Sequence, residues 1–173
     1  MAHTNPIDRI LSDSRIIAVV GLSTHPERYS YKVAQYMQSH GYRIMPVNPT
    51  YAGQDILGQR CCASLAEAAL ALSQAHIDIV ACFRKPEEIP AIAAQAITIG
   101  ARCLWMQLDI VNDAAAAVAR AAGLEVVMDA CLMVEHRRRH APRPAAVAAV
   151  AAVAAVAAGS SSTSSSAVDG ARP

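Results

Sequence analysis

The amino-acid sequence predicts a doubly wound α/β fold, in which a five-stranded parallel sheet carries helices on both faces. Short apolar runs alternate with helical stretches through five units of the chain. Gly41, Gly100 and Gly123 each follow a helical stretch, as glycine often does where a helix ends. Such alternation favours a parallel, Rossmann-like sheet, and 173 residues are enough for one domain of this kind.

Two strand–helix units fill the first part of the chain. In residues 15–21, RIIAVVG, an unbroken apolar run follows Arg15, which is typical of a central parallel strand. Residues 30–40 place apolar side chains on one side of a helix that Gly41 ends. A second strand is predicted over residues 42–47, YRIMPV. Residues 50–63 are expected to form a loop with a short extended piece near its end.

The third unit begins with a capping box. Ser64 is followed three residues later by Glu67, so a helix is expected to begin there. Residues 77–83, IDIVACF, predict the third strand. Pro86 then opens a helix with two glutamates in its first turn, and Gly100 ends it.

The remaining elements follow the same pattern. Residues 102–108, RCLWMQL, predict the fourth strand, and residues 113–122 the next helix. Residues 124–129, LEVVMD, predict the fifth strand, and a last helix is expected over about residues 131–140. In a doubly wound sheet, ligands bind beyond the carboxyl ends of the strands.

The composition changes near residue 141, where an Ala-Ala-Val repeat and then a serine tract begin. We therefore expect a domain over residues 1–140 and a low-complexity, disordered or loosely helical tail over residues 141–173. An interaction segment and a segment without selected function are open alternatives for this tail. Its apolar part is shorter than the roughly twenty residues that a membrane span needs.

Charge and cysteine content exclude several classes of protein. The net charge of +1 gives no overall field for nucleic acid or for a membrane surface. The number of cysteines, five, is odd, and no C-x-x-C spacing indicates a metal site. The N-terminal residues are polar, without the pattern of a signal peptide. We expect a reduced, cytoplasmic protein with no metal.

An ordinary dinucleotide site does not fit the first two strand ends. After Gly21 there is no second glycine until Gly41, so the G-x-G-x-x-G pattern is missing. The second strand ends in Asn48 and Pro49, where an NAD site needs a carboxylate for the ribose. A Walker loop, G-x-x-x-x-G-K-[ST], is also missing.

The first loop nevertheless has groups that can hold phosphate. Gly21 is followed by the hydroxyls of Ser23 and Ser30 and by the cations Arg28 and Lys32, next to the amides of a helix start. In the alternative interpretation, Ser30 only caps the helix and Arg28 is solvated. Both interpretations remain open from these residues alone.

Two further strand ends carry candidate ligand contacts. Phe83, Arg84 and Pro86 combine an apolar wall, a cation and a helix start, which suits an anionic or adenine-bearing ligand. The amide of Gln107 could reach a ligand or could satisfy a loop. Trp105, inside a strand, is expected to be a packing residue.

Several motifs occur in order along the chain: AVVGLSTHPERYSYKVAQYMQSHGYRIMPVNP, LGQ, FRKPE and AITIGARCLWMQLDIVNDAAAAVARAAGLEVVMDAC. Together they resemble the small, single-domain CoA-binding proteins, over roughly residues 8–139. The fold of that family is similar to the CoA-binding domain of succinyl-CoA synthetase and of NDP-forming acyl-CoA synthetases. The resemblance implies that this domain holds coenzyme A across its strand ends.

The resemblance also implies positions along the ligand for residues at four strand ends. In chain order these are Gly21, Leu22, Ser23, Ser30 and Lys32 near the phosphates, then Val47, Asn48 and Pro49 in the second turn, then Phe83, Arg84, Pro86 and Glu87 beside the adenosine half, and Trp105 and Gln107 nearer the pantetheine.

This chain departs from the family pattern at two positions. The family usually has glycine two places after the strand-end glutamine, where this chain has Asp109. It usually has arginine before the late cysteine, where this chain has Ala130. A carboxylate would repel an anionic ligand, and a missing arginine would remove a contact.

We expect a non-catalytic module that binds coenzyme A or an acyl-CoA, with no catalytic residue, no nucleic-acid partner and no membrane partner. An NAD(P)-binding oxidoreductase or sensor domain is the alternative, and an interaction protein that works through its tail is a third hypothesis. A mixed disulfide between CoA and Cys61, Cys62 or Cys131 is one chemical possibility. The opposing hypothesis is that the cysteines are buried or inert.

Overall fold

A computed structural model of the chain describes residues 5–140. The strands are β1 (Ile16–Val20), β2 (Arg43–Val47), β3 (Asp55–Ile56), β4 (Gln59–Arg60), β5 (Ile79–Cys82), β6 (Cys103–Met106) and β7 (Glu125–Val127). The helices are α1 (Pro6–Asp13), α2 (Tyr29–Ser39), α3 (Leu65–Ala71), α4 (Ile89–Thr98), α5 (Asp113–Ala121) and α6 (Leu132–His140).

The main sheet has the order β2-β1-β5-β6-β7, and all of its pairings are parallel. The chain goes outward from β1 to β2 and then returns to place β5 on the other side of β1. The topological switch point therefore lies between β1 and β5. This arrangement confirms the predicted doubly wound, Rossmann-like α/β fold.

Each face of the sheet has its own apolar core. Ala18 and Val20 of β1 pack in a cluster that includes buried residues of α3, α4 and α5. Ile17 and Val19 pack in a second cluster, with buried residues of α1, α2 and α6. All five residues of β1 are buried, because helices cover the strand on both faces.

Helix α1 is the main element that the sequence reading did not predict. Asn5 caps it by accepting a hydrogen bond from the Ile7 amide at 3.0 Å, and Pro6 occupies the first helical position. Ile10 and Leu11 are its buried residues. The signal was present as an Asn-Pro start followed by apolar residues at helical spacing.

Three other elements differ in detail from the prediction. The segment expected to be a loop contains the β3–β4 hairpin, and beyond it Cys62 forms a single bridge with Val47. Pro86 opens a short 3-10 turn, and the α-helix begins only at Ile89. The predicted tail, residues 141–173, lies outside the described residues. Among residues 5–140, no helix is both long and apolar enough to cross a membrane.

Candidate ligand-binding site

The strand ends named by the sequence reading lie side by side at one edge of the sheet. In the register of the sheet, Val20 is opposite Val47 on one side and Cys82 on the other, and Cys82 is opposite Met106. The residues that follow these strand ends are therefore neighbours along the edge: Asn48, Gly21, Phe83 and Gln107. Adjacent positions in such a row are about 4.8 Å apart.

Gly21 lies at the topological switch point, and no other amino acid fits at this position. Its φ of +88° is in the left-handed region. A Cβ atom here would overlap the carbonyl oxygen of Phe83 and come within 3.1 Å of Arg84 Cδ. The Gly21 amide also donates to the Val47 carbonyl at 2.8 Å. Glycine is required because the first loop passes directly against β5.

The first loop is held by a hydrogen bond between its start and α2. The Ser23 amide donates to Ser30 Oγ at 3.2 Å, and Ser30 is buried. The N-cap residue of α2 is Arg28, whose side chain makes no capping hydrogen bond. The interpretation of Ser30 as the helix cap is therefore wrong, because Ser30 is the second residue of the helix.

A cavity of about 390 Å³, here called the polar cavity, opens above this loop. Its lining consists of Gly21, Ser23, Arg28, Tyr29, Ser30, Asn48, Thr50, Tyr51, Phe83 and Arg84. The combination of hydroxyls, two guanidinium groups and the first turn of a helix is the chemistry that phosphate requires.

Asn48 shapes this cavity with both ends of its side chain. Its Nδ2 donates to the Leu22 carbonyl at 3.0 Å, and its Oδ1 accepts from the Thr50 amide at 3.1 Å. Asn48 is 6% exposed. These bonds fix the β1 loop against the turn after β2, so Asn48 organises the site.

A second cavity, of about 450 Å³, lies at the ends of β5 and β6 and is here called the β6 cavity. Its lining consists of Tyr29, Phe83, Arg84, Lys85, Pro86, Glu88, Gln107, Leu108 and Ile110. The rings of Tyr29 and Phe83 meet edge to face, with centroids 6.1 Å apart. Because both rings also line the polar cavity, they form the boundary between the two spaces.

The Gln107 amide has a fixed orientation. Its Oε1 accepts the Leu132 amide at the start of α6, at 3.1 Å. Its Nε2 is buried and has no hydrogen-bond partner among residues 5–140. Since a backbone amide can only donate, Oε1 must face Leu132, and Nε2 is left as a buried donor on a residue that lines the β6 cavity.

A third cavity, of about 240 Å³, lies against α4 and is here called the α4 cavity. Its lining consists of Val20, Val47, Pro49, Ala63, Ser64, Leu65, Arg84, Glu88, Ala91, Ile92 and Gln95. Arg84 borders all three cavities. Its Nε lies 3.8 Å from Glu88 Oε1, in a half-exposed ion pair.

Most of the residues predicted for the site line these cavities, and four do not: Leu22, Lys32, Glu87 and Trp105. Leu22 is fully buried and contributes its carbonyl to Asn48, and Lys32 is exposed on α2. Neither residue borders any of the three cavities. Tyr29 and Tyr51 also line the polar cavity and were not predicted, because an aromatic residue next to a helix start has no distinctive pattern.

The two residues that depart from the family pattern, Asp109 and Ala130, line none of the three cavities. Asp109 has a φ of +64°, a conformation that favours glycine and that aspartate tolerates. It is exposed, and it does not line the β6 cavity although Leu108 and Ile110 do. The Ala130 carbonyl accepts the Trp105 indole N–H at 2.8 Å, and Trp105 is fully buried, as a packing residue should be.

All five cysteines are free and buried. Burial raises the pKa of the Cys82 thiol to about 12 and also raises the pKa of Cys61, Cys62 and Cys103. Cys131 Sγ is hydrogen-bonded by the Tyr29 hydroxyl. None of the five borders any of the three cavities, which favours the inert interpretation over a mixed disulfide. In residues 5–140, no cluster of three His, Cys, Asp or Glu side chains could hold a metal ion.

Known proteins share both the sequence and the fold of this chain. The uncharacterized protein YneT of Bacillus subtilis (strain 168) is 40% identical over 130 residues, which are 75% of this chain and 91% of YneT. A hypothetical protein from Pyrococcus horikoshii OT3 is 36% identical with a TM-score of 0.69, over 80% of this chain and 98% of that one.

A more distant structure shares the fold alone. The dinucleotide-forming acetyl-coenzyme A synthetase 1 of Ca. Korarchaeum cryptofilum matches with a TM-score of 0.57 at 15% identity, over 71% of this chain and 28% of that one. The family described as CoA binding domain matches residues 15–137. That match spans the whole sheet and all three cavities, and the chain belongs to the CoA binding domain family.

Proposed function

We propose that the protein binds coenzyme A without catalysing a reaction, and that the ligand lies across all three cavities. The observation that carries this proposal is the position of Arg84, which borders every one of them. Coenzyme A has an adenine base, an anionic phosphate region and a long, mostly uncharged arm. Correspondingly, hydroxyls and two arginines line the polar cavity, whereas the β6 cavity and the α4 cavity are less polar.

The phosphates fit the polar cavity. Arg28 and Arg84 supply two positive charges, and Ser23 and Ser30 lie beside the start of α2. The helix dipole and its first amides favour an anion at this end. In the free protein, Arg84 Nε lies 3.8 Å from Glu88 Oε1. A phosphate in the polar cavity would therefore compete with Glu88 for the Arg84 guanidinium.

The base and the arm fit the two less polar cavities. Val20, Val47 and Ile92 give the α4 cavity apolar walls, which suit a flat purine ring. The arm would pass Tyr29 and Phe83 into the β6 cavity and end near Gln107. Gln107 lies two strand positions away from Gly21, about 10 Å along the sheet edge.

The composition of the lining supports binding over catalysis. No histidine or cysteine lines the three cavities, and Glu88 is their one carboxylate. General acid–base chemistry by carboxylates needs two groups with separated pKa values, and nucleophilic catalysis needs a base beside the nucleophile. The free cysteines suit a reducing compartment, so we also propose a cytoplasmic location.

Calorimetric titration of the full chain with CoA tests this function, with NADH and ATP as competing candidates. We expect a one-to-one complex with CoA in the micromolar range and much weaker heats with NADH. Binding of NADH as tight as that of CoA would favour the NAD(P)-binding alternative. Absence of CoA binding at millimolar ligand would contradict the proposal.

A further inference from the structure

One residue that lines the β6 cavity, Gln107, has a buried hydrogen-bond donor without a partner among the described residues. Gln107 is 1% exposed, and its Nε2 has no partner among the residues that the structure describes. The bond from the Leu132 amide to Oε1 prevents the side-chain amide from turning over. An unsatisfied buried donor is rare in folded proteins, and an ordered water or a bound ligand can supply the missing acceptor.

Apolar side chains form part of the lining of the same cavity. Phe83, Leu108 and Ile110 line the same cavity, and Leu108 is 54% exposed. Val111, the residue after Ile110, is 45% exposed. Single exposed apolar side chains are common on protein surfaces. Leu108 and Val111, however, lie close together in one short loop, and Leu108 lines the β6 cavity.

A free thiol is a poor match for these surroundings. A thiol is a weak donor and a weak acceptor, so it would leave Gln107 Nε2 without a good partner. A carbonyl oxygen is a strong acceptor, and an alkyl group attached to it would cover Leu108 and Ile110. An acyl thioester has both the carbonyl oxygen and the alkyl group.

We propose that the ligand of this site is a short-chain aliphatic acyl thioester of coenzyme A. This inference rests on the proposed function and narrows its ligand. The thioester carbonyl accepts a hydrogen bond from Gln107 Nε2, and the acyl chain packs against Phe83, Leu108 and Ile110. The adenine and the phosphates stay in the α4 cavity and the polar cavity.

The test compares four ligands by calorimetry with the full chain: CoA, butyryl-CoA, succinyl-CoA and S-butyl-CoA, a thioether that has the alkyl chain but no carbonyl. We expect butyryl-CoA to bind on the order of tenfold more tightly than CoA, and more tightly than the thioether, because only it offers both an acceptor and an alkyl chain.

Two variants locate the effect. Gln107→Glu replaces the donor by an acceptor, and it should abolish the preference for butyryl-CoA over the thioether. Val118→Thr alters an apolar side chain of α5 that is 58% exposed and lines none of the cavities, and it should preserve that preference. If Gln107→Glu does not fold, the affinities of the unmodified protein for butyryl-CoA and S-butyl-CoA still test whether the thioester carbonyl is bound.

The possible failures are distinguishable. Equal affinity for CoA and butyryl-CoA, equal affinity for thioester and thioether, or a preference for succinyl-CoA would overturn the aliphatic thioester while leaving CoA binding intact. Absence of binding by all four ligands would overturn the proposed function itself.

Discussion

At the scale of single residues, Arg84 connects the parts of the site. It follows Phe83 at the end of β5, and its side chain is about a third exposed. Its ion pair with Glu88 is too exposed to contribute much to stability. The side chain is therefore available for a ligand, at the position where all three cavities meet.

Replacement of Arg84 by alanine should weaken CoA binding about tenfold or more, because charge-assisted hydrogen bonds to phosphate are worth about 1.5–3 kcal/mol. Arg102→Ala is the matched control. Arg102 pairs with Asp13 and Asp78 at the start of β6, at the opposite edge of the sheet. Calorimetry should show unchanged CoA affinity for Arg102→Ala, and equal losses in both variants would contradict a direct role for Arg84.

Gly21→Ala should destabilise the protein by about 2–4 kcal/mol, because strain from φ = +88° adds to the overlap with Phe83. Gly41→Ala has nearly the same φ, +90°, but its added Cβ meets nothing within 4 Å. The free energy of unfolding of Gly41→Ala should therefore fall by only about 1 kcal/mol. Urea denaturation measures both, and similar losses would show that the contact with β5 is unimportant.

The sequence predicted much of the site at this scale, for a physical reason. Gly21, Asn48 and Gln107 follow strands that were recognisable from apolar runs, and parallel strands bring their ends to one edge. Tyr29 was missed and Lys32 was included, because the direction of a side chain at a helix start depends on packing that the pattern does not contain.

At the scale of elements, one capping box predicted a helix start correctly. Ser64 Oγ accepts the Glu67 amide at 3.2 Å, and Glu67 Oε2 accepts the Ala63 amide at 2.8 Å, which confirms the predicted start of α3. The β3–β4 hairpin could not be predicted with the same ease. Each of its strands has two residues, too few to show an alternating pattern.

Asn112 caps α5 and also joins that helix to the turn before α4. Its Oδ1 accepts the Ala115 amide at 2.9 Å, and its Nδ2 donates to the Pro86 carbonyl at 2.9 Å. Asn112→Ala should cost about 1–2 kcal/mol of unfolding free energy in urea titrations.

Asn112→Asp is the matched variant, since it keeps the cap and removes only the bond to Pro86. It should lose no more than about 1 kcal/mol, because aspartate caps a helix as well as asparagine. If the two variants lose the same stability, the cap contributes nothing measurable.

At the scale of the whole molecule, the strand order was the part that the sequence could not supply. Apolar runs identify the five strands, but nothing in them shows that β5 pairs with β1 on the side opposite β2. That choice creates the switch point, and with it the contact between Gly21 and Phe83. It arises from the packing of helices on both faces, which involves the entire chain.

The buried thiols should make the fold sensitive to alkaline pH. Unfolded thiols ionise near pH 8.5. Burial raises the pKa of Cys82 to about 12 and that of Cys103 in the same direction, so the folded state retains protons that the unfolded state loses. The free energy of unfolding should therefore be fully retained below about pH 8.5 and should fall as the pH rises, by about 1.4 kcal/mol per unit for each such thiol.

Urea titrations at pH 7.5 and pH 10 measure this loss. A Cys82→Ala, Cys103→Ala double variant is less stable at both values, but its stability should fall less between them. A loss between the two pH values that is the same in the double variant and in the unmodified chain would contradict the assignment to these thiols.

In the proposed function, coenzyme A occupies the edge of the sheet where the strands end. An NMR titration of the ¹⁵N-labelled full chain with CoA tests this position. We expect the largest shifts at the Gly21 and Ser23 amides and at the Gln107 side-chain amide, with Gly100 and Gly123, at the opposite edge of the sheet, unchanged. Shifts concentrated at that opposite edge, or no shifts at saturating CoA, would contradict it.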